Sequence, residues 1–150
     1  MTGNSRLALA GLEAGVSGSL AMLGWLGMAS LFFHRSVWWV PNLFAGVFYG
    51  DASLKYGFGR YTVAGISLEL FLYGCIGAGF GLFWRERPGG LRVLGFALLI
   101  SIAAYYLLIR VAWKSLSPAA SLYGPDRQIL IGHLLYALLL SRFPRYRDAL

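Results

Sequence analysis

This sequence predicts an all-α membrane bundle of four transmembrane helices, built as two helical hairpins, and three observations predict it. The 150 residues are 58% hydrophobic and only 13% charged, a balance outside that of ordinary soluble domains. The few charges are unevenly spread, with none between Arg92 and Arg110 and only Glu69 between Val63 and Trp84. Runs of that kind approach the roughly 20 residues needed to cross a hydrocarbon core of about 30 Å. Finally, the apolar runs are separated by Pro- and Gly-containing breaks that carry the charge. The whole chain, 1–150, is expected to form one integral membrane domain.

The first span is Leu7–Phe33. Arg6 ahead of an apolar run resembles the start of a secretory signal, but the run is too long for such a segment, so a retained anchor is expected. The second span is Tyr61–Trp84, the third Leu91–Trp113 and the fourth, the shortest, Asp126–Phe143. Between the second and third lies Arg85-Glu-Arg-Pro-Gly-Gly90, whose Pro and paired Gly end one helix and whose charges belong outside the bilayer.

Threading these spans alternately puts Arg6, Arg85, Arg87, Arg92, Arg142, Arg145 and Arg147 on one side, in short segments against helix ends. Arg35, Lys55, Arg60, Arg110, Lys114 and Arg127 fall on the other, diluted over two longer connections. Short loops weigh more in setting orientation, so both termini are expected in the cytoplasm, across a bacterial inner membrane. A net charge of +7 suits anionic lipid headgroups, which Arg85, Arg87, Arg92, Arg142, Arg145 and Arg147 would bind. Nucleic acid is a poor partner for a chain whose basic residues all adjoin membrane spans.

The two halves, 7–84 and 91–143, follow a similar plan, which raises the prospect of an internal repeat. Each has a connection running from Trp through Pro to an aromatic-Gly corner, Trp39 to Gly50 and Trp113 to Gly124. Each then shows Arg, four residues and Gly: Arg60 to Gly65, Arg127 to Gly132. Two spans per half make such a duplication parallel, with its axis along the membrane normal. Pro41 and Pro118 each suit the start of a short helix, and Ser117 suits a cap. Two short helices are expected at the outer interface. The first connection is rich in rings, and Trp38, Trp39, Phe44, Phe48 and Tyr49 read either as a lipid-facing aromatic belt or as a docking surface for a partner.

Glycines mark how the helices should pack. Gly11 and Gly15 form one GxxxG pattern, Gly77 and Gly81 another, and Gly65 begins the same i+4 ridge of the second span. Glu69 and Tyr73 lie on that ridge, so the carboxyl group should face protein rather than lipid, about 12 Å below the outer helix end. A charge there costs several kcal/mol unless it is paired or neutralised. His133, about 9 Å into the fourth span, is the expected partner, with Tyr136 one turn on. The cluster Glu69, Tyr73, His133 and Tyr136 is therefore an interhelical hydrogen-bond lock, a proton or cation relay, or a single-His site for haem or pigment at His133. Glu13 is shallow enough to reach cytoplasmic arginines, and Arg110 to reach headgroups or to pair with Asp51 or Asp126. His34 reads as a solvated boundary residue.

No cofactor is required by these residues and no metal set has ligand spacing. Walker, zinc, nucleophile-elbow and dinucleotide motifs are absent, and Cys75 is the sole cysteine, inside the second span. A non-enzymatic protein is expected, an accessory subunit of a larger membrane complex, associating with other subunits or with itself. A small oligomeric transporter or channel using Glu69 and His133 is the alternative, and a lipid- or pigment-binding protein a third.

Overall fold

The computed structural model describes residues 3–55, 57–84 and 90–149, with the side chains of 55 and 119–121 excepted. The turn expected at 85–89, with Arg85 and Arg87, lies outside the described residues. Among the described residues all regular structure is helical. Helix α1 spans Gly3–Phe32, α2 Trp39–Tyr49, and a 3₁₀ segment Gly50–Lys55 follows. Helix α3 covers Arg60–Phe83 and α4 Gly90–Ala104, continuing as a π-helical segment Tyr105–Ala112 and a short α5, Trp113–Leu116. Helices α6 (Pro118–Tyr123), α7 (Asp126–Leu140) and α8 (Phe143–Ala149) complete the chain.

Three of these stretches are long and apolar enough to cross a membrane: Gly3–Phe32, Arg60–Phe83 and the continuous helical run Gly90–Leu116. The fourth expected span is different. Helix α7 has 15 residues and ends at Leu140 rather than Phe143, a length of about 22 Å against a hydrocarbon core of about 30 Å. The chain turns at Ser141 and Arg142, and Phe143 begins a separate helix.

Helix α1 is the common wall of the bundle and packs against α3, α7 and α8. Its contact with α3 is a glycine crossing. A Cβ at Gly11 would meet the carbonyl of Gly77, one at Gly15 would sit 2.5 Å from the carbonyl oxygen of Tyr73, and one at Gly77 2.7 Å from the Cα of Gly15. Gly81 closes the row against the backbone of Leu7 and Gly11. Small residues let the two backbones touch, which is how helices gain van der Waals contact where lipid removes the hydrophobic drive. The α1–α7 contact works by knobs into glycine notches: Gly18 receives the Tyr136 ring and Gly132 receives Met22.

Helix α2 does not lie flat on the outer surface as expected. Val40 through Gly46 are all buried, and the carbonyl of Pro41 abuts Gly65 of α3 closely enough that no Cβ fits there. A polar latch fixes this seat: the Thr62 hydroxyl donates to Asn42 Oδ1 at 2.7 Å, and Asn42 Nδ2 donates to the Gly57 carbonyl at 3.2 Å. At its start the N–H groups of Trp39 and Asn42 donate to the carbonyls of Ser36 and Trp38 just ahead of the helix, so these groups are satisfied although the element is buried.

The two halves do not pack alike in detail. A parallel duplication would make α4 meet α3 as α1 meets α7. Helix α4 does pack on α7, the counterpart of the α1–α3 contact, but it meets the end of α3 through Phe96, stacked on Phe83 at 4.7 Å between ring centres and edge-on to Trp84. Bulky rings hold those helices apart where glycines draw α1 inward.

Candidate functional site

One polar cluster in the bundle interior draws on three helices. Tyr73 on α3 places its hydroxyl 2.6 Å from His133 Nε2 on α7. His133 Nδ1 lies 2.8 Å from the carbonyl oxygen of Ile129, an acceptor only, so Nδ1 carries the proton and donates. Nε2 is then the acceptor and Tyr73 the donor. One turn further, Tyr136 donates its hydroxyl to the backbone carbonyl of Tyr73 at 2.8 Å. Ser101 of α4 donates to the carbonyl of His133 at 2.5 Å. The rings pack edge to face, Tyr73 on Tyr136 at 4.9 Å and Tyr105 on His133 at 5.4 Å. This arrangement ties α3, α4 and α7 together at one level, with Gly18 of α1 behind Tyr136.

Tyr73, His133 and Tyr136 are thus brought together, but Glu69 does not join them. Its side chain is 2% exposed, and neither carboxyl oxygen has a hydrogen-bond partner among the described residues. The expected pairing of Glu69 with His133 is corrected: both imidazole nitrogens are already engaged, one by Tyr73 and one by Ile129. Glu69 sits one helical turn before Tyr73 and faces a separate cavity of about 10 Å³. Phe44, Leu72, Leu108, Ile109 and Trp113 line that cavity with Glu69 and Tyr73. Leu108 and Ile109 belong to the π-helical segment, a conformation that recurs at functional sites.

The same geometry bears on cofactors. Ligation of a haem or pigment metal by His133 Nε2 requires the Tyr73 hydroxyl to leave it. No group of three or more His, Cys, Asp and Glu side chains placed to hold a metal ion occurs among the described residues.

The aromatic residues of the first connection divide. Phe44 is buried, edge-on to Trp113 at 5.3 Å, so its place in a docking surface is corrected: it belongs to the core because α2 dips inward. Trp39 is half-buried beneath the Arg35 guanidinium, 4.0 Å from the ring centre, and Trp38 packs on Phe58 at 5.0 Å. Phe48 and Tyr49 are exposed. Of the arginines expected at headgroups, Arg92, Arg142 and Arg145 are exposed. Arg147 is held over Phe143 and lies 3.7 Å from Asp148. Arg110 pairs with Asp126 at 2.6 Å. Glu13 and His34 are exposed, and His34, just past α1, has φ of 55°.

Sequence reasoning passed over Trp113, Ser101 and the Asn42–Thr62 latch. Ser101 is the one hydroxyl between Arg92 and the Tyr105–Tyr106 pair, which is the signal that could have marked it. Comparison with protein-family models, with curated proteins and with solved structures gives no match to this chain.

Proposed function

We propose that this protein is a small non-catalytic integral membrane protein that crosses the lipid four times and serves as an accessory subunit of a larger membrane complex. In this reading it sits in a bacterial inner membrane with both termini in the cytoplasm, its exposed arginines on anionic headgroups. The observation that carries it is the closure of the Tyr73–His133–Tyr136–Ser101 network. These interior polar groups satisfy one another across helices, as groups do whose work is fastening. The fourth crossing draws support from the reach of the last segment: Trp25 Nε1 donates to the Gln128 carbonyl at one level, while Phe143 packs on Phe80, near the far end of α3, at the other.

Gentle detergent extraction of a tagged copy followed by native mass spectrometry tests this. The chain should travel with other membrane subunits; release as a lone monomer contradicts the accessory role, and recovery with copies of itself alone favours an oligomeric transporter or channel. That second reading has one observation in its favour, the buried carboxyl of Glu69. It predicts that Glu69→Gln abolishes flux in reconstituted vesicles while assembly survives.

A further inference from the structure

Two hollows flank the last turns of α1, and they differ in chemistry. One, of about 340 Å³ beside Gly24 and Gly27, is lined by no charged side chain. The other, of about 230 Å³, lies where the end of α1 meets the starts of α2 and α7. Leu26 and Ala29, both buried, form its floor; Phe33 and the half-buried Trp39 flank it; Arg35 and Gln128 bring polar groups to it. Trp25 Nε1 donates to the Gln128 carbonyl at 2.9 Å and holds the start of α7 against α1 at this level.

The Arg35 guanidinium lies 4.0 Å from the centre of the Trp39 ring. Its face is thus engaged, while its N–H donors lie in its own plane. Among the described residues no carboxylate pairs with it: Asp126, at the start of α7, is taken by Arg110. Arg127, next to Gln128, is exposed and adds a second positive charge to this end of the bundle. The hollow therefore has an apolar floor and an unbalanced cation at its edge.

We propose that this hollow seats one anionic phospholipid, its phosphate on the Arg35 guanidinium and the Gln128 side-chain amide, and the first carbons of one acyl chain over Leu26 and Ala29. A guanidinium matches a phosphate with two parallel N–H donors. The walls follow the order of the ligand. Arg35 stands just past the end of α1, at headgroup depth with Trp39, and Leu26 lies about 9 Å deeper than Phe32 by helix rise. The volume is below the roughly 300–1,000 Å³ of pockets that enclose a whole small molecule, so the hollow takes part of a molecule whose remainder stays in the bilayer. A water-soluble anion would leave the apolar floor unused, and a cation would meet Arg35. This goes beyond the general contact of exposed arginines with headgroups, because it fixes a single lipid in one place. It rests on α1 crossing lipid, not on the accessory role: a chain extracted without other subunits but carrying one lipid would end that role and keep this site.

Native mass spectrometry of the full chain, extracted from vesicles of equal parts phosphatidylglycerol and phosphatidylcholine, tests the site. The wild type should retain one phosphatidylglycerol in preference to phosphatidylcholine. Arg35→Gln should lower that retention about fivefold, the scale set by one basic residue at an anionic surface. Arg142→Gln, at an exposed arginine near the far end of α7, should leave it unchanged. Ala29→Leu adds carbons for which the hollow has room and should displace the lipid while Arg35 remains, so the test does not depend on one variant folding. Absence of a preference in the wild type, an equal loss in Arg142→Gln, or displacement of the lipid by glycerol 3-phosphate, which has the anion without the chains, overturns the proposal.

Discussion

The Tyr73 hydroxyl donates to His133 Nε2 at 2.6 Å, and the tautomer that makes this possible is set by the other ring nitrogen, which donates to Ile129. One side chain therefore fixes what the next can do. Tyr73→Phe leaves a buried acceptor unpaired, and the expected loss is about 1 kcal/mol, the scale of interhelical hydrogen bonds in membranes. Combining it with His133→Phe in a double-mutant cycle should give a coupling of about the same size, read from unfolding midpoints in mixed micelles.

The glycine crossing predicts a larger, position-specific effect. Gly77→Val drives a branched side chain into the α1 backbone at Gly11 and Gly15 and should cost about 3 kcal/mol or prevent assembly. Gly79 on the same helix has open space around it, so Gly79→Ala should assemble like the wild type. Detergent-resistant folding of the two variants, compared by size-exclusion chromatography, separates a specific crossing from a general intolerance of substitution.

Seating of α2 on α3 rests on the Asn42–Thr62 pair and on the close approach of Pro41 to Gly65. Thr62→Val removes the donor while keeping the shape, leaving Asn42 short of a partner it uses at 2.7 Å. Hydrogen exchange should rise across residues 39–49 and stay low in α3, with a stability loss of about 1–2 kcal/mol.

The ion pair between Arg110 and Asp126 has both side chains about half exposed. Arg110→Ala is therefore expected to change stability by less than about 1 kcal/mol, and the difference should shrink as salt is raised. Thermal unfolding of both forms at low and high salt checks it.

Much of this architecture can be read from hydropathy and glycine spacing. The spans predicted as Leu7–Phe33 and Tyr61–Trp84 appear as Gly3–Phe32 and Arg60–Phe83, because long charge-poor runs bounded by charged or turn-forming residues leave little freedom. The ridge Gly65, Glu69, Tyr73, Gly77 and Gly81 turns inward as its i+4 spacing requires; all five are buried. What spacing along one helix cannot supply is rotation about the next. Depth alone placed His133 beside Glu69, whereas the rotation of α7 delivers it to Tyr73, one turn away. The inward dip of α2 was hidden for a related reason: Phe44 and Trp39 have the same apolar and aromatic character at an interface as in a core. Nothing in Tyr-Tyr-Leu-Leu-Ile-Arg-Val-Ala, 105–112, distinguishes a π-helical turn from an α-helical one, since the difference lies in which carbonyl each N–H finds.

The claim beneath all of this is that α3 crosses lipid with its glycine ridge inward and its opposite side against acyl chains. Cys75, the sole cysteine, is exposed on that helix and lies about 22 Å along it from Arg60. A spin label on Cys75 in bilayers should relax strongly with oxygen, which concentrates in lipid, and weakly with a water-soluble nickel chelate. Dominant relaxation by the chelate would place this face of α3 in water and contradict the account.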